Sequence, residues 1–432
     1  MKRARWILAA GLIFAGAAPS QDLPPGVVLL GAVKRHIRDE LQRLPNISCL
    51  ETVRREHQPP NGKWRPTDTV RLEVLTNGVT ELYASPGDRT FSERHPITYA
   101  SSGTLSDGYF GVYLKTILVT GSVSYTYRGE EEIGGARLAR WDYHLPEMWS
   151  GQRIDLPEGS GKVGLNGSFW ADPKTLDVLR LDLNAEDFPP AVPLTEAFWS
   201  IRLARTSLDE GVAVLLPQAA EFRMTRFTGD GSRSRIDFTQ CRVFGAESRI
   251  NFDAPDSAPQ PAKFATASLD DTLRTLPAGL KVAVKLRSRI SAQTPVGALI
   301  DGLVAGSVSS KGRVIIAAGS PVRGRIRQLE YSADPIPHFV VAVEFTEVEL
   351  NGIRHRFYAD LVEIGFARGV EQELTVSSKA SASRDFGGAA GYRTEVLSMP
   401  RLPGVATVFI KGEKLELPAG FQTIWKTRPL DP

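Results

Sequence analysis

The sequence contains few cysteines and few histidines, and this scarcity excludes the common classes of metal protein. Only two cysteines occur, Cys49 and Cys241, and neither belongs to a CxxC pair or to a zinc-like spacing. The six histidines include no pair at i,i+4 or at the other usual ligand spacings. We therefore predict no metal site and no cofactor.

The sequence also lacks an excess of basic over acidic residues once the first 20 residues are set aside. The chain has 52 Lys and Arg against 49 Asp and Glu, and Lys2, Arg3 and Arg5 account for the whole excess. Nucleic-acid binding relies on an excess of basic groups, so we predict no nucleic-acid partner. Residues 21–256 carry 27 basic against 32 acidic groups, and residues 257–432 carry 22 against 17. The resulting net charges of −5 and +5 favour docking of one half on the other.

Apolar stretches that could cross a membrane as a helix are missing. The one extended stretch, 13 residues from Trp6 to Ala18, falls short of the roughly 20 that a span needs. It follows three basic residues and ends in small residues before Gln21, the order of a secretory signal peptide. We predict a cleaved signal peptide at residues 1–20, export to the periplasm or cell envelope, and no transmembrane span in the mature chain. A retained membrane anchor is the alternative.

The motifs of several enzyme classes are missing or stand in the wrong context. No G-x-S-x-G occurs, and the serines before Lys311 lack the S-x-x-K offset. Gly159, Gly161 and Gly164 match G-x-G-x-x-G, but no strand is expected before them and a strand rather than a helix is expected to follow. We therefore predict a protein that is not an enzyme, although acid–base pairs contributed by distant positions stay open.

Glycine and proline, at 39 and 29 residues, are by contrast abundant, as in proteins of many short strands. Before the strands, an amphipathic helix is expected from the helical spacing of Leu30, Val33, Ile37, Leu41 and Leu44. From Val70 to about Phe252 the apolar period is two, and Asn77-Gly78 forms the first tight hairpin turn. A second helix is expected within this region, with Ser106 as N-cap and Tyr109, Phe110, Tyr113 and Ile117 on one side.

Cys49 and Cys241 are candidates for a disulfide because the predicted compartment is oxidising. In the chain-entropy model, closing a loop of about 190 residues stabilises a protein by roughly 5 kcal/mol at most. Two buried free thiols are the alternative.

The predicted fold class is mainly β (α+β), divided into two modules. Residues 21–253 are expected to form an antiparallel half-barrel with packed helices, and the Pro-rich residues 254–268 a linker. Residues 269–432 are expected to form a small β-barrel closed by its own first and last segments. Three similar turn sequences support this barrel: Leu276-Pro277-Ala278-Gly279, Ile316-Ala317-Ala318-Gly319 and Leu417-Pro418-Ala419-Gly420.

The first module resembles the LolA/LolB-type envelope lipoprotein carriers. The resemblance covers about residues 25–253 and lies in the helix-then-meander order and in the strand-turn GSFWADP at 167–173, followed by Leu179-Arg180-Leu181. It implies a curved sheet around an apolar cavity that takes acyl chains. Strand alternation turns only one of Phe169 and Trp170 inward. We predict a ligand-binding face formed by Trp141, Tyr143, Phe169, Trp170 and Leu179.

The second module resembles the C-terminal periplasmic domain of type IV secretion outer-ring (TrbI-like) subunits. The resemblance lies in the LPAG turn at 276–279 and in the sequence AGSPVRG at 318–324. Two features depart from that family: the leader is expected to be cleaved, and the loop Val376–Gly391 is too polar for a membrane-crossing antenna. The resemblance therefore implies a barrel used for envelope assembly or docking rather than a pore.

One strand of the second module carries a basic face. Arg323, Arg325 and Arg327 alternate with apolar or small residues, which places three guanidinium groups on one side of the strand. These groups could contact lipid headgroups, anionic glycans or the acidic first module. A solvated barrel exterior gives the same pattern, so this alternative stays open.

Two functional hypotheses follow. The first is an exported, non-catalytic envelope protein that binds an apolar or acylated ligand, such as a lipid or a lipoprotein, and docks an envelope protein partner. The second is a structural or assembly component of a cell-envelope secretion or transport complex. In that case the half-barrel is filled by its own helices and takes no small ligand.

Overall fold

The chain folds around two sheets, and the predicted mainly β class is confirmed. A computed structural model describes residues 23–77, 80–88, 91, 96–99, 105–119, 122–156, 158–208, 211–244, 274–333, 336–365 and 404–429. A ten-stranded sheet is built from strands between residues 47 and 243, and a nine-stranded sheet from strands between residues 274 and 427. We call these two units the half-barrel and the barrel.

The half-barrel contains three helices and twelve strands among the described residues. The helices are α1 (Pro25–Arg43), α2 (Val112–Leu114), which continues as a π-helical turn (Lys115–Val119), and α3 (Glu147–Ser150); a 3₁₀ turn spans Pro96–Tyr99. The strands are β1 (Ile47–Gln58), β2 (Arg65–Thr76), β3 (Glu81–Ala84), β4 (Ser124–Ile133), β5 (Ala136–Leu145), β6 (Arg153–Leu156), β7 (Gly159–Lys162), β8 (Gly164–Ala171), β9 (Val178–Glu186), β10 (Leu194–Ser207), β11 (Ala213–Arg226) and β12 (Gly231–Val243).

The main sheet of the half-barrel is antiparallel. Its later strands follow one another as a meander, and β1, β2 and β3 extend the sheet beyond the last of them, β12. Its order is β3-β2-β1-β12-β11-β10-β9-β8-β5-β4, and β6 and β7 form a separate hairpin. Successive side chains point to opposite faces, so each long strand presents one apolar set to the concave face. That face holds the core of the module, and α1 and α2 pack on it.

Helix α1 forms where the apolar spacing predicts it. Pro24 is the N-cap and Pro25 the first helical residue, where the fixed φ of proline favours the first turn. Val33 and Ile37, one turn apart, are fully buried. The expected second helix is wrong in its start: Ser106 is not an N-cap, and α2 begins six residues later, at Val112. The Ser106 hydroxyl instead accepts a hydrogen bond from Trp199 Nε1 at 2.9 Å. A distant partner, Trp199 of β10, thus replaces the local capping interaction.

A disulfide joins β1 to β12 across the sheet. It links Cys49 to Cys241, which are 192 positions apart in the sequence and have Cα atoms 4.1 Å apart. The register of the two strands shifts between Ser48 and Leu50, next to the bond. The disulfide therefore holds β1 against β12, the last strand of the meander.

The barrel is built from thirteen described strands. They are β13 (Arg274–Thr275), β14 (Lys281–Leu286), β15 (Ile290–Ser291), β16 (Leu299–Val304), β17 (Val308–Ser310), β18 (Arg313–Ile316), β19 (Pro321–Ser332), β20 (His338–Leu350), β21 (Ile353–Arg356), β22 (Ala359–Ile364), β23 (Val405–Lys411), β24 (Glu416–Leu417) and β25 (Gln422–Thr427). Its main sheet has the order β13-β21-β20-β19-β16-β14-β25-β22, and β23 pairs with β20. Antiparallel pairing of β14 with β25 joins the first long strand of this sheet to the last.

The three similar turn sequences share one backbone geometry. Gly279, Gly319 and Gly420 have φ of +89°, +81° and +86°, a region that side chains with a Cβ atom rarely adopt. In the second and third turns, the amide after the glycine donates to the carbonyl three residues earlier, as in a type II turn. Glycine at the fourth position is therefore required by the backbone.

The two modules share a backbone bridge. Val70 of β2 pairs in parallel with Val296, and the amide of Val296 donates to the carbonyl of Thr69 at 2.7 Å. Gly297 follows with φ of +87°, and a Cβ atom there would lie 2.5 Å from the carbonyl oxygen of Arg71. Glycine at 297 thus allows the barrel backbone to approach the half-barrel.

Charged side chains from both modules meet beside this bridge. Arg55 and Asp68, both buried, form a two-point ion pair, and Arg55 also lies 3.4 Å from Glu330 of the barrel. Arg325 of the barrel donates to the carbonyl of Pro86 and to the carboxylate of Asp88, both at 2.6 Å. A basic group of the positively charged half therefore meets an acidic group of the negatively charged half.

Three predicted segments lie outside the described residues: the signal peptide at 1–20, the linker at 254–268 and the loop at 376–391. In the part of the chain that the structure describes, no helix combines the length and the apolar content of a membrane span.

Candidate functional site: the concave face of the half-barrel

One row of inward side chains crosses nine strands of the half-barrel without a charged residue. Successive pairings join one side chain from each strand between β4 and β2. We call it the apolar row: Tyr127, Trp141, Phe169, Leu181, Ile201, Ala220, Ile236, Val53 and Val70. All members except Tyr127 are buried. The row extends across nine of the ten strands of the sheet, a shape that suits a long apolar ligand.

A parallel row of inward residues is aromatic at one end and charged at the other. It runs from Tyr143 over Gly167 to Trp199 and Phe222, whose rings stack at 4.7 Å, and ends at the Arg55–Asp68 pair. At Gly167 a Cβ atom would lie 2.0 Å from the carbonyl oxygen of Asp182. This glycine lets the hydroxyl of Tyr143 reach that carbonyl at 3.0 Å.

Helix α1 covers the aromatic end of the concave face. The carbonyl of Gly26 accepts a hydrogen bond from Trp141 Nε1 at 3.3 Å, and Trp141 stacks on Phe169 with ring centroids 5.2 Å apart. A Cβ atom at Gly26 would lie 2.6 Å from the ring of Tyr127. The start of α1 therefore rests directly on the aromatic rings.

A cluster of polar side chains fastens the second half of α1 to the rim of the sheet. Asp177, in the turn before β9, accepts from Arg205 Nε at 3.0 Å and pairs with His36 Nε2 at 2.8 Å. Arg205 also donates to Glu40 at 3.2 Å. Burial alone would raise the pKa of Asp177, but the hydrogen bonds from Arg205 and His36 outweigh it and lower the pKa. We call these four residues the anchor cluster.

The segment 105–119, which contains α2, covers the other end of the concave face. Its rings pack on the sheet: Tyr109 and Phe110 contact Phe238, and Tyr113 contacts Trp199. Glu81 of β3 holds the segment, because its carboxylate accepts the amides of residue 108 at 2.8 Å and residue 110 at 3.1 Å. The cover thus rests on ring contacts and on one carboxylate.

A second carboxyl group lies beneath this cover. Glu51 of β1 is 1% exposed, and its Oε1 atom has no hydrogen-bond partner. Burial raises its pKa well above the ordinary value, and the negative charges of Glu81 and Asp107 raise it further. Within the described residues, no group of three or more His, Cys, Asp or Glu side chains is arranged to hold a metal ion.

The predicted ligand-binding residues lie on two faces. Trp141, Tyr143 and Phe169 point into the concave face. Trp170 points to the convex face, where its ring lies between the guanidinium groups of Arg140 and Arg180, at 5.3 and 4.9 Å. Its Nε1 donates to Glu131 at 3.0 Å.

Leu179 belongs to neither face in a regular way. The register of β8 and β9 shifts so that Val178 pairs with Ala171 and Arg180 with Trp170. Leu179 between them has no partner in the ladder and is half-buried. Its place in the predicted lining rested on regular alternation, which the bulge interrupts.

The predicted basic face is paired with carboxylates. Arg323 donates to Glu349 at 3.2 Å, and Arg327 lies 3.5 Å from Glu344. Arg325 is buried and reaches Asp88 of the half-barrel. Among the three contacts left open by the sequence, the structure thus places Arg325 against the acidic half.

Sequence reasoning missed Glu51, Glu81 and Tyr109 as a group. These three residues are distant in the chain, and only strand pairing and the path of segment 105–119 bring them together. A weak signal was present in β1, where Glu51 and Arg55 occupy the same alternate positions as the apolar Val53. Charged residues in phase with an apolar residue indicate a partly polar inner face.

Comparison with known proteins gives similarity to a few solved structures. No protein-family model and no curated protein matches the chain. A DUF1329 family protein from Desulfovibrio piger ATCC 29098 is 12% identical, with a TM-score of 0.27 over 51% of this chain and 94% of that chain. A LolA superfamily protein from Nitrosomonas europaea is 9% identical, with a TM-score of 0.29 over 50% of this chain and 94% of that chain.

A third solved structure is a domain assigned to outer membrane lipoprotein sorting, from Vibrio parahaemolyticus. It is 8% identical, with a TM-score of 0.28 over 52% of this chain and 95% of that chain. The resemblance of the second module to TrbI-like subunits stays a prediction.

Proposed function

We propose that the protein is an exported, non-catalytic envelope protein whose half-barrel binds an apolar or acylated ligand along its concave face. Binding occurs when α1 or the segment 105–119 moves away from the sheet. The observation that carries the proposal is the uninterrupted apolar row on a face that, among the described residues, is covered by α1 and the segment 105–119 of the same chain.

The contacts that hold the cover support this proposal. At its rim α1 is held by hydrogen bonds and ion pairs of the anchor cluster, which water can replace when the helix leaves. A ligand with an acyl chain would take over the apolar contacts of the departing helix. The exchange then keeps most apolar surface out of water, so the closed and loaded states can be close in free energy.

We further propose that the barrel serves as the docking module for an envelope protein partner. Three large apolar side chains on its surface, Leu299, Val314 and Ile336, are 64%, 62% and 55% exposed. Exposed apolar residues mark a protein-binding surface where they form a contiguous patch, so the proposal requires these three side chains to lie together. Cross-linking in the native envelope, with photoreactive residues at these three positions, tests this part of the proposal.

Weakening the anchor cluster is expected to increase ligand binding. Asp177→Asn removes the charge that Arg205 and His36 contact, and a hydrogen bond to a charged group contributes about 1.5–3 kcal/mol. If the closed state loses about 1.4 kcal/mol, the open fraction rises about tenfold and the apparent affinity rises with it. Titration with a fluorescent long-chain fatty acid such as cis-parinaric acid measures this change.

Asp155→Asn is the matched control. Asp155 pairs with Arg153 on the surface, and both side chains are more than half exposed, so this variant is expected to bind as the wild type does. Hydrogen exchange at the amides of α1 reports whether Asp177→Asn loosens the helix. Faster exchange in α1 without any gain in probe binding would contradict the carrier proposal and support the structural alternative, in which the helices fill the half-barrel permanently.

A further inference from the structure

Two buried carboxyl groups lie side by side on the concave face, but only one of them is used by the fold. Glu81 accepts hydrogen bonds from the hydroxyl of Tyr83 at 2.6 Å and from two amides of the covering segment. Glu51 is buried more completely, and its Oε1 atom has no hydrogen-bond partner. Since buried polar groups are almost always paired, an unpaired carboxyl oxygen suggests a function other than stability.

A second unpaired polar atom lies close to Glu51. The hydroxyl of Tyr109 is buried and has no hydrogen-bond partner, and the residue is 2% exposed. Burial raises the pKa of this phenol and the charge of Glu51 raises it further, whereas the nearby hydroxyl of Ser106 lowers it. The Oε1 atom of Glu51 and the hydroxyl of Tyr109 therefore lie within electrostatic reach of each other under the same cover.

The charges around this pair are negative. Those that act on Glu51 belong to Glu81 and Asp107. A negatively charged environment that excludes water disfavours a second anion and favours a cation. The polar end of the concave face is therefore complementary to a positively charged group.

The side chain of Glu51 lies next to the apolar row. Val53, a member of that row, is two residues from Glu51 on the same face of β1. The cross-strand partner of Glu51 is Phe238, whose ring contacts Tyr109 and Phe110 of the cover. An acyl chain that lies along the row would thus bring its polar end to Glu51.

We propose that Glu51 and Tyr109 form a head-group subsite for an acylated ligand that carries a primary ammonium group. The subsite rests on the proposed function, since it opens only when the segment 105–119 moves. The ammonium group donates one hydrogen bond to the carboxylate of Glu51 and another to the hydroxyl of Tyr109. When the cation binds, Glu51 ionises and releases its proton to solvent.

The test compares probes of equal chain length that differ in the head group: hexadecylamine, hexadecanol and palmitic acid. The wild type is expected to bind the amine about tenfold or more tightly than the alcohol, because a charge-assisted hydrogen bond is about twice as strong as a neutral one. Glu51→Gln is expected to reduce this preference to about twofold or less and to leave binding of the alcohol unchanged. Tyr109→Phe should weaken amine binding to a smaller extent.

The Glu51→Gln variant is expected to fold. Burial raises the pKa of Glu51 in the folded state. The free energy of unfolding therefore falls as the pH rises above the pKa that this group has in the unfolded chain. A neutral glutamine does not carry this cost at neutral pH. Glu196→Gln, at a half-exposed carboxylate on β10, is the control and should change no probe affinity.

The outcomes separate the two proposals. If no probe binds, whatever its head group, the carrier function itself is wrong. If all probes bind equally well and Glu51→Gln changes none of them, the half-barrel binds acyl chains but the head-group subsite is wrong.

Two further probes distinguish the natural sources of the ammonium group: a diacylated lipopeptide with a free N-terminal amine, and lysophosphatidylethanolamine. The phosphate of the second probe would lie near Glu81 and Asp107, which repel an anion. We expect the lipopeptide to bind more tightly and to lose more affinity in Glu51→Gln. The reverse order would contradict the assignment of a negatively charged subsite.

Discussion

Asp68→Ala is expected to lower the free energy of unfolding by about 3–5 kcal/mol, because it leaves the buried guanidinium group of Arg55 without its main partner. The Arg55 side chain is 3% exposed and the Asp68 side chain 1%, and the two groups contact each other at two points, one of them 2.6 Å long. The contact to Glu330 at 3.4 Å is longer than the contacts to Asp68 and compensates only in part. Urea denaturation followed by tryptophan fluorescence measures the loss.

Two variants make this prediction specific. Removing both charges, as in Arg55→Met with Asp68→Leu, is expected to cost less than Asp68→Ala alone, because no buried charge is left unpaired. Asp237→Ala disrupts the neighbouring pair with Arg54, which is 53% exposed, and should cost about 1 kcal/mol or less. Equal losses for Asp68→Ala and Asp237→Ala would show that the Arg55–Asp68 pair is not buried in solution.

Loss of the disulfide is expected to have an effect of similar size. Cys49→Ser should lower the free energy of unfolding by about 2–5 kcal/mol, because the unfolded chain gains the freedom of a loop of about 190 residues. Cys241→Ser and the double variant should show the same loss, since all three remove one bond. The reduced wild type is expected to have the same unfolding midpoint as these three variants.

Thiol labelling under native conditions tests the same bond directly. The wild type is expected to take up no alkylating reagent until it is reduced, since Cys49 and Cys241 are bonded. A native wild type that reacts at Cys49, or single variants that are as stable as the wild type, would contradict this account.

Periodicity predicts the strands and much of the inner face. The alternation that places Trp141, Tyr143 and Phe169 on the concave face is local, and the sheet follows it. The same rule fails at Leu179, because a bulge is set by the partner strand and not by the residue itself. Local sequence therefore identifies inward positions only while the ladder is regular.

Long-range contacts account for what the sequence could not predict. Ser106 has the chemistry of an N-cap, but its hydroxyl binds Trp199, which is 93 positions away. Glu51 and Arg55 are charged, and composition alone places charged residues on the surface. Arg55 is buried with partners from β2 and the barrel and Glu51 under the segment 105–119, and no local pattern specifies these neighbours.

The proposed function depends on whether the concave face exchanges its own helix for an acyl chain. Protein purified from its native envelope without detergent, extracted with organic solvent and analysed by mass spectrometry, answers this most directly. We expect about one acylated molecule per protein chain, because each chain has one concave face. Less of it is expected when the protein is purified after treatment with an excess of an apolar competitor. Repeated absence of any extractable lipid, together with failure of the purified protein to bind the hexadecyl probes, would contradict the account.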